Sequence, residues 1–314
     1  KLLQCYNLIT HKYNTFMKLL PDNLFQENYF GLAITPSAIR AISISQDRSI
    51  KASSQVQLPP GTFEPANFNQ DQLSQALKQL LQSIKATEIY ATISLPEYYS
   101  FTRSYTIPKI PLEDVSEALN WQIEQIFPLP KNEIYFDWKL ISQQDKTLTI
   151  LIVAMPRKTL DDLIHIFETS NIKPVSFEPS ASSISRIITL ETTKPTILIE
   201  INSFGSSATL IENNISTLTV TNQYPLQKDA KGTQWALQQT SKAIQSLINF
   251  HQNKFADKND PVQLVLTGES ATNELTNWLS EFIQQKVELP SIPNVPPHYH
   301  QAFAAATGNI LPVD

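Results

Sequence analysis

Residues 107–153 read IPKIPLEDVSEALNWQIEQIFPLPKNEIYFDWKLISQQDKTLTILIV, and this stretch decides the fold. Pro111 is predicted to open a helix, because proline is favoured at the first helical position and the acidic pair Glu113 and Asp114 then suits the positive end of the helix dipole. Apolar residues recur at helical spacing after it and form one stripe: Val115, Ala118, Leu119, Ile123 and Ile126. Pro128 ends the helix. The stretch therefore begins with an amphipathic helix.

Two strands are predicted after this helix. Residues 133–141 and 147–154 are rich in β-branched and aromatic side chains, and the polar residues 142–146 between them predict a turn. A further strand, 101–107, precedes the helix, and a second helix, 160–169, follows the hairpin. The predicted order is strand, helix, hairpin, helix.

Three features of this stretch resemble the inserted subdomain of the type IV pilus assembly protein PilM family, which is related to the actin-like division protein FtsA. They are a proline break after the helix, an acidic residue between aromatic residues, and a small-residue strand end followed by basic residues. The residues are Phe127-Pro128-Leu129-Pro130, Phe136-Asp137-Trp138, and Val153-Ala154 with Arg157 and Lys158. The resemblance implies an α/β fold, the two-lobed actin-like (ASKHA, ribonuclease H-like) architecture with a small inserted FtsA-type α+β subdomain.

The resemblance also implies a division of the chain into lobes. The implied boundaries are 1–27 for an N-terminal extension, 28–96 and 175–193 for the first lobe, 97–174 for the inserted subdomain, 194–298 for the second lobe and 299–314 for a C-terminal helix that returns to the first lobe. Residues 1–16 carry no strong pattern, and Met17 is a candidate start. The extension is therefore left out of the fold prediction.

Periodicity elsewhere predicts the remaining elements. Helices are predicted at residues 71–84, 181–188, 233–254, 273–284 and 299–310. Trp235 and Phe282 are expected on the inward faces of two of these helices. Strands are predicted at 30–35, 38–45, 52–58, 88–95, 174–178, 196–202, 208–211, 216–220 and 263–267.

Composition excludes several classes of function. The 314 residues are 41% hydrophobic and 17% charged, which predicts a globular chain long enough for two lobes. A net charge of −5 argues against nucleic acid as the main partner. No apolar run approaches the ~18 residues of a membrane span. A single cysteine fits a reducing cytoplasm, so the expected location is cytoplasmic, peripheral to the inner membrane through partners.

Glycine is scarce, and this bears on nucleotide binding. The chain has 6 glycines, whereas average usage would give about 22. Loops that cradle phosphates need glycine, because backbone N–H groups must approach the anion closely. In the first such loop of the family, an acid and a turn glycine stand where this chain has Ala33 and Thr35. The acid usually helps to hold hydrated Mg²⁺, so its loss weakens the metal site.

The other two nucleotide loops of the family also differ here. The second keeps an acid as Glu200 but has Asn202 and Ser207 in place of a glycine and an acid, and we interpret it as a serine-rich hairpin turn. The adenosine loop has Glu269 in place of a glycine, which would bring two anions together. The resemblance implies a remnant ATP site formed by Ser37, Arg40, Glu200, Ser203, Gly205, Ser206, Thr267 and Gly268. No resident cofactor is expected, and ATP with Mg²⁺ is the only candidate.

The resemblance implies a binding role rather than catalysis. Members of the family bind the N-terminal tail of the inner-membrane pilus protein PilN between the first lobe and the inserted subdomain. Here, Tyr98, Tyr99, Phe101 and the helix 112–126 are candidates to line that groove. The first hypothesis is a scaffold of pilus assembly with ATP binding weakened or lost. A working ATP switch of the same machinery and a GspL-like domain of type II secretion stay open as alternatives.

The sequence argues against a kinase activity and against a metal site. A sugar or acetate kinase of this fold needs an acid to position the attacking hydroxyl and a metal site. Ala33 and Ser207 stand at the acidic positions, so no catalytic residue is assigned. His298 and His300 form an H-x-H pattern without a cysteine or acid nearby in sequence, so no metal site is predicted.

Overall fold

The computed structural model of the protein describes residues 29–45, 49–64, 67–87, 89–188, 194–213, 215–223, 230–254, 261–290, 292, 295 and 297–307. The expected extension 1–27, with Met17, lies outside these residues, as does the end of the last predicted helix from residue 308. Within the described residues, no helix combines the length and apolar character needed to cross a bilayer.

The first lobe is built on a five-stranded sheet of order β10-β6-β1-β2-β3. Its strands are β1 (Tyr29–Ile34), β2 (Ala38–Ile44), β3 (Ile50–Gln57), β6 (Ile89–Leu95) and β10 (Ile172–Pro179). The first three are antiparallel, whereas β1, β6 and β10 are parallel. Every residue of β1 and β6 is buried, as is usual for strands covered on both faces. A short hairpin, β4 (Phe63–Glu64) and β5 (Asn67–Phe68), lies beside this sheet.

Helices cover both faces of the first sheet. On one face, α1 (Gln70–Ser83) buries an apolar stripe that includes Leu73 and Leu77, and the Asn69 side chain caps its first turn. The short α4 (Ser180–Ile184) follows β10, so the helix predicted at 181–188 is shorter than expected. On the other face, α7 (His300–Thr307) packs against β1 and β2. Residues 300–307 thus pack on the sheet of the first lobe.

The second lobe and the inserted subdomain share one eight-stranded sheet, of order β15-β14-β11-β12-β13-β7-β9-β8. Its strands in the second lobe are β11 (Thr196–Ile201), β12 (Gly205–Glu212), β13 (Ile215–Gln223), β14 (Gln263–Thr267) and β15 (Val287–Glu288). Its strands in the insert are β7 (Phe101–Pro108), β8 (Ile134–Gln143) and β9 (Thr147–Pro156). A single register pair, Leu218 with Arg103, joins β13 to β7.

The inserted subdomain contributes to two cores because the side chains of β9 alternate between the two faces of the sheet. Helix α2 (Val115–Ile126) covers one face, where Ile150 and Ile152 are buried. On the opposite face, Val153 and Met155 join the core of the first lobe, together with α3 (Arg157–Thr169). The strand, helix, hairpin, helix order predicted from the sequence is confirmed. The implied boundary between residues 174 and 175 falls within β10.

Two aromatic residues that were predicted to face inward, Trp235 and Phe282, are exposed, so these two predictions were wrong. The second lobe is covered by α5 (Ala230–Lys254) and α6 (Asn273–Ile283). Trp235 is 42% exposed because the buried stripe of α5 runs through Ala236, Thr240, Ile244 and His251, and Trp235 lies off that stripe at helical spacing. Phe282 is 53% exposed at the edge of the buried side of α6, where it stacks on Trp278.

Candidate functional site between the lobes

The candidate site lies where the two lobes meet, and its first loop, at the position of the family's first phosphate loop, is a turn closed by a threonine side chain. It joins β1 to β2, and the backbone N–H of Thr35 donates to the carbonyl of Ala38 at 2.9 Å. The N–H of Ala38 in turn donates to Thr35 Oγ1 at 3.2 Å. The hydroxyl of Thr35 thus accepts the backbone N–H of Ala38. With a glycine at position 35, this N–H would be available to bind an anion.

A carboxylate from the second lobe enters this turn. Glu269 Oε1 lies 2.9 Å from Arg40 Nη1 and accepts a hydrogen bond from Ser37 Oγ at 2.5 Å. The Thr35 hydroxyl also donates to the same oxygen. The side chains of Arg40 and Glu269 are only 7% and 13% exposed, and Arg40 Nε donates to Gln55 Oε1 at 2.9 Å. The two lobes are therefore joined here by a largely buried, charge-assisted contact.

The second loop, between β11 and β12, is closed by its own asparagine. Asn202 Oδ1 accepts the backbone N–H groups of Phe204 at 3.0 Å and Gly205 at 2.9 Å. The hydroxyl of Ser206 is buried and lies 2.7 Å from Thr240 Oγ1 of α5, while Ser203 is exposed. Of the serines proposed for the remnant site, Ser203 is exposed, Ser37 is half-buried and Ser206 is buried. The loop has the contacts of a tight hairpin turn.

Gly268 holds the third loop against the second. Its φ is +96°, and a Cβ at this position would lie 2.6 Å from the carbonyl oxygen of Ile201. Both observations require glycine here. The preceding Thr267 donates from its hydroxyl to the carbonyl of Ile199 at 3.3 Å. The loop is thereby fixed to β11, and this fixes the direction in which Glu269 leaves the second lobe.

Two buried carboxylates lie where the lobes and the insert meet. Glu97 Oε1 accepts the backbone N–H of Ala181 at 2.7 Å, and Glu200 accepts a hydrogen bond from the Ser180 hydroxyl. Burial, with a smaller contribution from the nearby charge of Glu200, raises the pKa of Glu97 to about 7, against hydrogen bonds that lower it. The sequence identified Glu200 but not Glu97, whose only signal was its place after the buried strand β6.

The aromatic residues proposed to line a peptide groove are mostly packed. Tyr99 is 3% exposed and stacks on Phe63 with ring centres 4.6 Å apart. Tyr98 faces Phe204 of the second lobe at 5.8 Å, and burial raises its pKa. Phe101 packs on Phe127 inside the insert. The apolar side of α2 likewise forms the core of the insert, which leaves Leu112 and Trp121 exposed at 46% and 78%.

A run of hydroxyl groups beside these aromatic rings has no hydrogen-bond partner among the described residues. The oxygens belong to Tyr99, Ser100 and Thr102, and all are buried. Ser100 and Thr102 lie on the face of the insert opposite α2, because alternate residues of a strand share a face. Buried polar groups are nearly always paired, so each of these oxygens is expected to meet a polar partner, such as a water molecule or a polar ligand.

The structure places the predicted residues in two groups. Ser37 and Arg40 meet Glu269, whereas Glu200, Gly268 and the Ser203–Ser206 hairpin lie together in the second lobe. Among the described residues, no group of three His, Cys, Asp or Glu side chains could hold a metal ion. The role of the eight residues in nucleotide binding stays a prediction.

Comparison with solved structures defines the class of protein. The fold is similar to that of a PilM–PilN type IV pilus biogenesis complex, with a TM-score of 0.75 and 15% identity over 91% of this chain and 100% of that chain. The cytoplasmic domain of EpsL, from the type II secretion system of Vibrio cholerae, gives a TM-score of 0.55 and 11% identity over 90% and 95%. The ethanolamine utilization protein EutJ from Carboxydothermus hydrogenoformans gives 0.51 and 10% over 95% and 98%. The chain is a two-lobed protein of the actin-like ATPase fold.

The family follows from the sequence itself. Residues 31–203, more than half of the chain, match the sequence model of the family described as type IV pilus assembly protein PilM. The chain belongs to this family. No curated protein matches it. The family and the fold class expected from the sequence are both confirmed.

Proposed function

We propose that this chain is a scaffold of type IV pilus biogenesis that binds the cytoplasmic, N-terminal tail of a PilN-like inner-membrane protein without the help of ATP. Its family and its likeness to a PilM–PilN complex support a pilus role. The chain then works on the cytoplasmic side of the inner membrane, to which its partner holds it.

The observation that carries the proposal is the run of unpartnered hydroxyls at Tyr99, Ser100 and Thr102, in the described part of the chain. They lie at the entrance to the inserted subdomain, on the side that faces the first lobe. An extended peptide presents backbone N–H and C=O groups at regular intervals. A tail that enters between the first lobe and the insert would pair with these hydroxyls, while its apolar side chains pack on neighbouring aromatic rings.

Two contacts and one residue identity support the loss of nucleotide binding. The Glu269 carboxylate holds the side chains of Ser37 and Arg40, the amide of Ala38 is engaged by Thr35, and Ala33 supplies no acid for a hydrated metal ion. A nucleotide phosphate would have to displace a carboxylate from a buried guanidinium, which is costly. The residues present therefore fit ATP and Mg²⁺ poorly.

The test is peptide binding by calorimetry, with a synthetic PilN-type tail, in the presence and absence of ATP and Mg²⁺. Thr102→Val replaces an unpartnered hydroxyl by a methyl group of similar size. The variant without peptide should be as stable as the unchanged protein or more stable. Its affinity for the peptide should fall about tenfold, which is the effect of losing one hydrogen bond of about 1.4 kcal/mol. Thr106→Val on the same face of β7 is the matched control, because Thr106 is exposed.

Two outcomes would contradict the proposal. If Thr102→Val and Thr106→Val bind the peptide with equal affinity, the unpartnered hydroxyls do not contact the peptide. Binding of ATP with a Kd of tens of micromolar or tighter, about −6 kcal/mol or more, together with a peptide affinity that changes with nucleotide, would favour the alternative of an ATP-driven switch.

A further inference from the structure

We propose that Thr35, Ser37 and Arg40 form an oxyanion site whose ligand is the chain's own Glu269 carboxylate, and that this internal ligand ties the two lobes together. The inference deepens the proposed function and rests on it, because it says what takes the place of a nucleotide in the cleft.

The geometry is that of a bound anion. Three donors from one turn converge on a single oxygen, Glu269 Oε1: the guanidinium of Arg40 at 2.9 Å, the hydroxyl of Ser37 at 2.5 Å, and the hydroxyl of Thr35. Hydroxyls and a guanidinium around one oxygen are also the donors that proteins present to a phosphate group. The carboxylate thus makes the contacts that such a phosphate oxygen would make.

Burial makes an anion necessary at this point. Arg40 is 6% exposed, and a guanidinium keeps its charge in proteins. Its Nε is satisfied by Gln55 Oε1 at 2.9 Å, so Nη1 is the atom directed at the cleft. A buried charge without its counter-charge strongly destabilises a protein. If Glu269 is removed, the site should therefore take another small oxyanion from solution.

The contact joins the lobes because each side is fixed to its own lobe. Thr35, Ser37 and Arg40 belong to the β1–β2 turn and to β2 of the first sheet. Glu269 follows Gly268, whose positive φ and close approach to Ile201 hold the loop on β11 of the second sheet. In this fold, the carboxylate supplies the cross-link between the lobes that a bound nucleotide would otherwise supply.

The experiment uses the full chain and inorganic phosphate as the probe. Glu269→Ala should bind phosphate at least about tenfold more tightly than the unchanged protein, as measured by calorimetry. Glu281→Ala is the control, because Glu281 is an exposed acid on the neighbouring helix α6 and its loss changes the net charge equally. In Glu269→Ala without phosphate, amide hydrogen exchange should rise at residues 35–38 and 268–271, and added phosphate should leave the exchange at 268–271 high.

Each result decides the proposal. It is overturned if folded Glu269→Ala binds phosphate no better than Glu281→Ala, if the unchanged protein already binds phosphate as tightly, or if exchange at residues 35–38 stays the same. Should Glu269→Ala fail to fold, Glu269→Gln preserves the side-chain size and serves in the same assay. The phosphate experiment does not measure peptide binding. If the internal-ligand proposal fails, the scaffold proposal is therefore still judged by the peptide experiment alone.

Discussion

Arg186 and Glu178 form a doubly hydrogen-bonded ion pair sealed inside the first lobe. The two guanidinium nitrogens lie 2.7 and 2.8 Å from the two carboxylate oxygens, and the side chains are 6% and 0% exposed. Arg186 Nη2 also donates to the carbonyl of Ala304 in α7 at 3.1 Å. One side chain, that of Arg186, therefore joins β10 to the C-terminal helix.

We expect Arg186→Ala to lower the free energy of unfolding by about 3–5 kcal/mol, because it leaves the Glu178 carboxylate buried without a counter-charge. Urea unfolding followed by circular dichroism measures this. Lys158→Ala is the comparison, since it removes an exposed i,i+4 pair with Asp162 and should change stability very little. Similar losses in the two variants would contradict the burial of the Arg186 pair.

Gly31 should not tolerate even one methyl group. A Cβ there would lie 2.1 Å from the Ala302 oxygen and 2.2 Å from the Ala306 nitrogen, both backbone atoms of α7. Gly31→Ala should therefore destabilise the protein by about 3 kcal/mol or more and raise hydrogen exchange along α7. Gly61→Ala has free space and only a φ of +81° to accommodate, so a loss of about 1–2 kcal/mol is expected. If α7 remains protected in Gly31→Ala, the close packing is refuted.

The buried Glu97 should give a distinct pH dependence. Its pKa is raised from 4.5 to about 7, so the folded protein holds an extra proton between these pH values. This group's contribution to stability is therefore greatest below pH 4.5 and is lost as the pH rises through 7. Glu97→Gln removes the titration. The free energy of unfolding of Glu97→Gln, minus that of the unchanged protein, should be about 3 kcal/mol higher at pH 8 than at pH 4.5. A difference that does not vary with pH would show that Glu97 does not titrate in this range.

On helix α2, a fully buried residue, Ile123, and a largely exposed one, Trp121, lie only two positions apart. Ile123→Ala should cost about 2–5 kcal/mol, because Ile123 is fully buried in the insert. Trp121→Ala should cost well under about 1 kcal/mol, since Trp121 is 78% exposed and its described contact is with Lys131, 5.6 Å from the ring centre. Thermal unfolding of both variants measures the difference. A larger loss for Trp121 would mean that the helix is rotated from the face described here.

Local periodicity was sufficient to predict the inserted subdomain. Its helix, hairpin and following helix each follow from residues that are close together in the sequence. Pro128 and Pro130 separate the first helix from the hairpin. Trp235 shows where the same reasoning fails, because hydrophobic character alone does not tell which side of a long helix meets the sheet.

Contacts across the sequence could not be predicted in the same way. Gly31 lies in β1, and its lack of a side chain makes room for Ala302 and Ala306 of α7, more than 270 residues later. The sequence showed Glu269 as a misplaced carboxylate, but its partner Arg40 lies 229 residues earlier and is brought to it only by the packing of two lobes. The identity of the site residues came from the family motif, and their mutual contacts came from the fold.

The position of α7 has a consequence for synthesis of the protein. Ala33, Ile42 and Ile44, from the beginning of the first lobe, are buried together with Ala302, Phe303 and Ala306. The growing chain must therefore hold this apolar surface uncovered until α7 has left the ribosome. Such long-delayed contacts slow folding and expose the chain to aggregation, so we expect chaperones to bind the first lobe during translation.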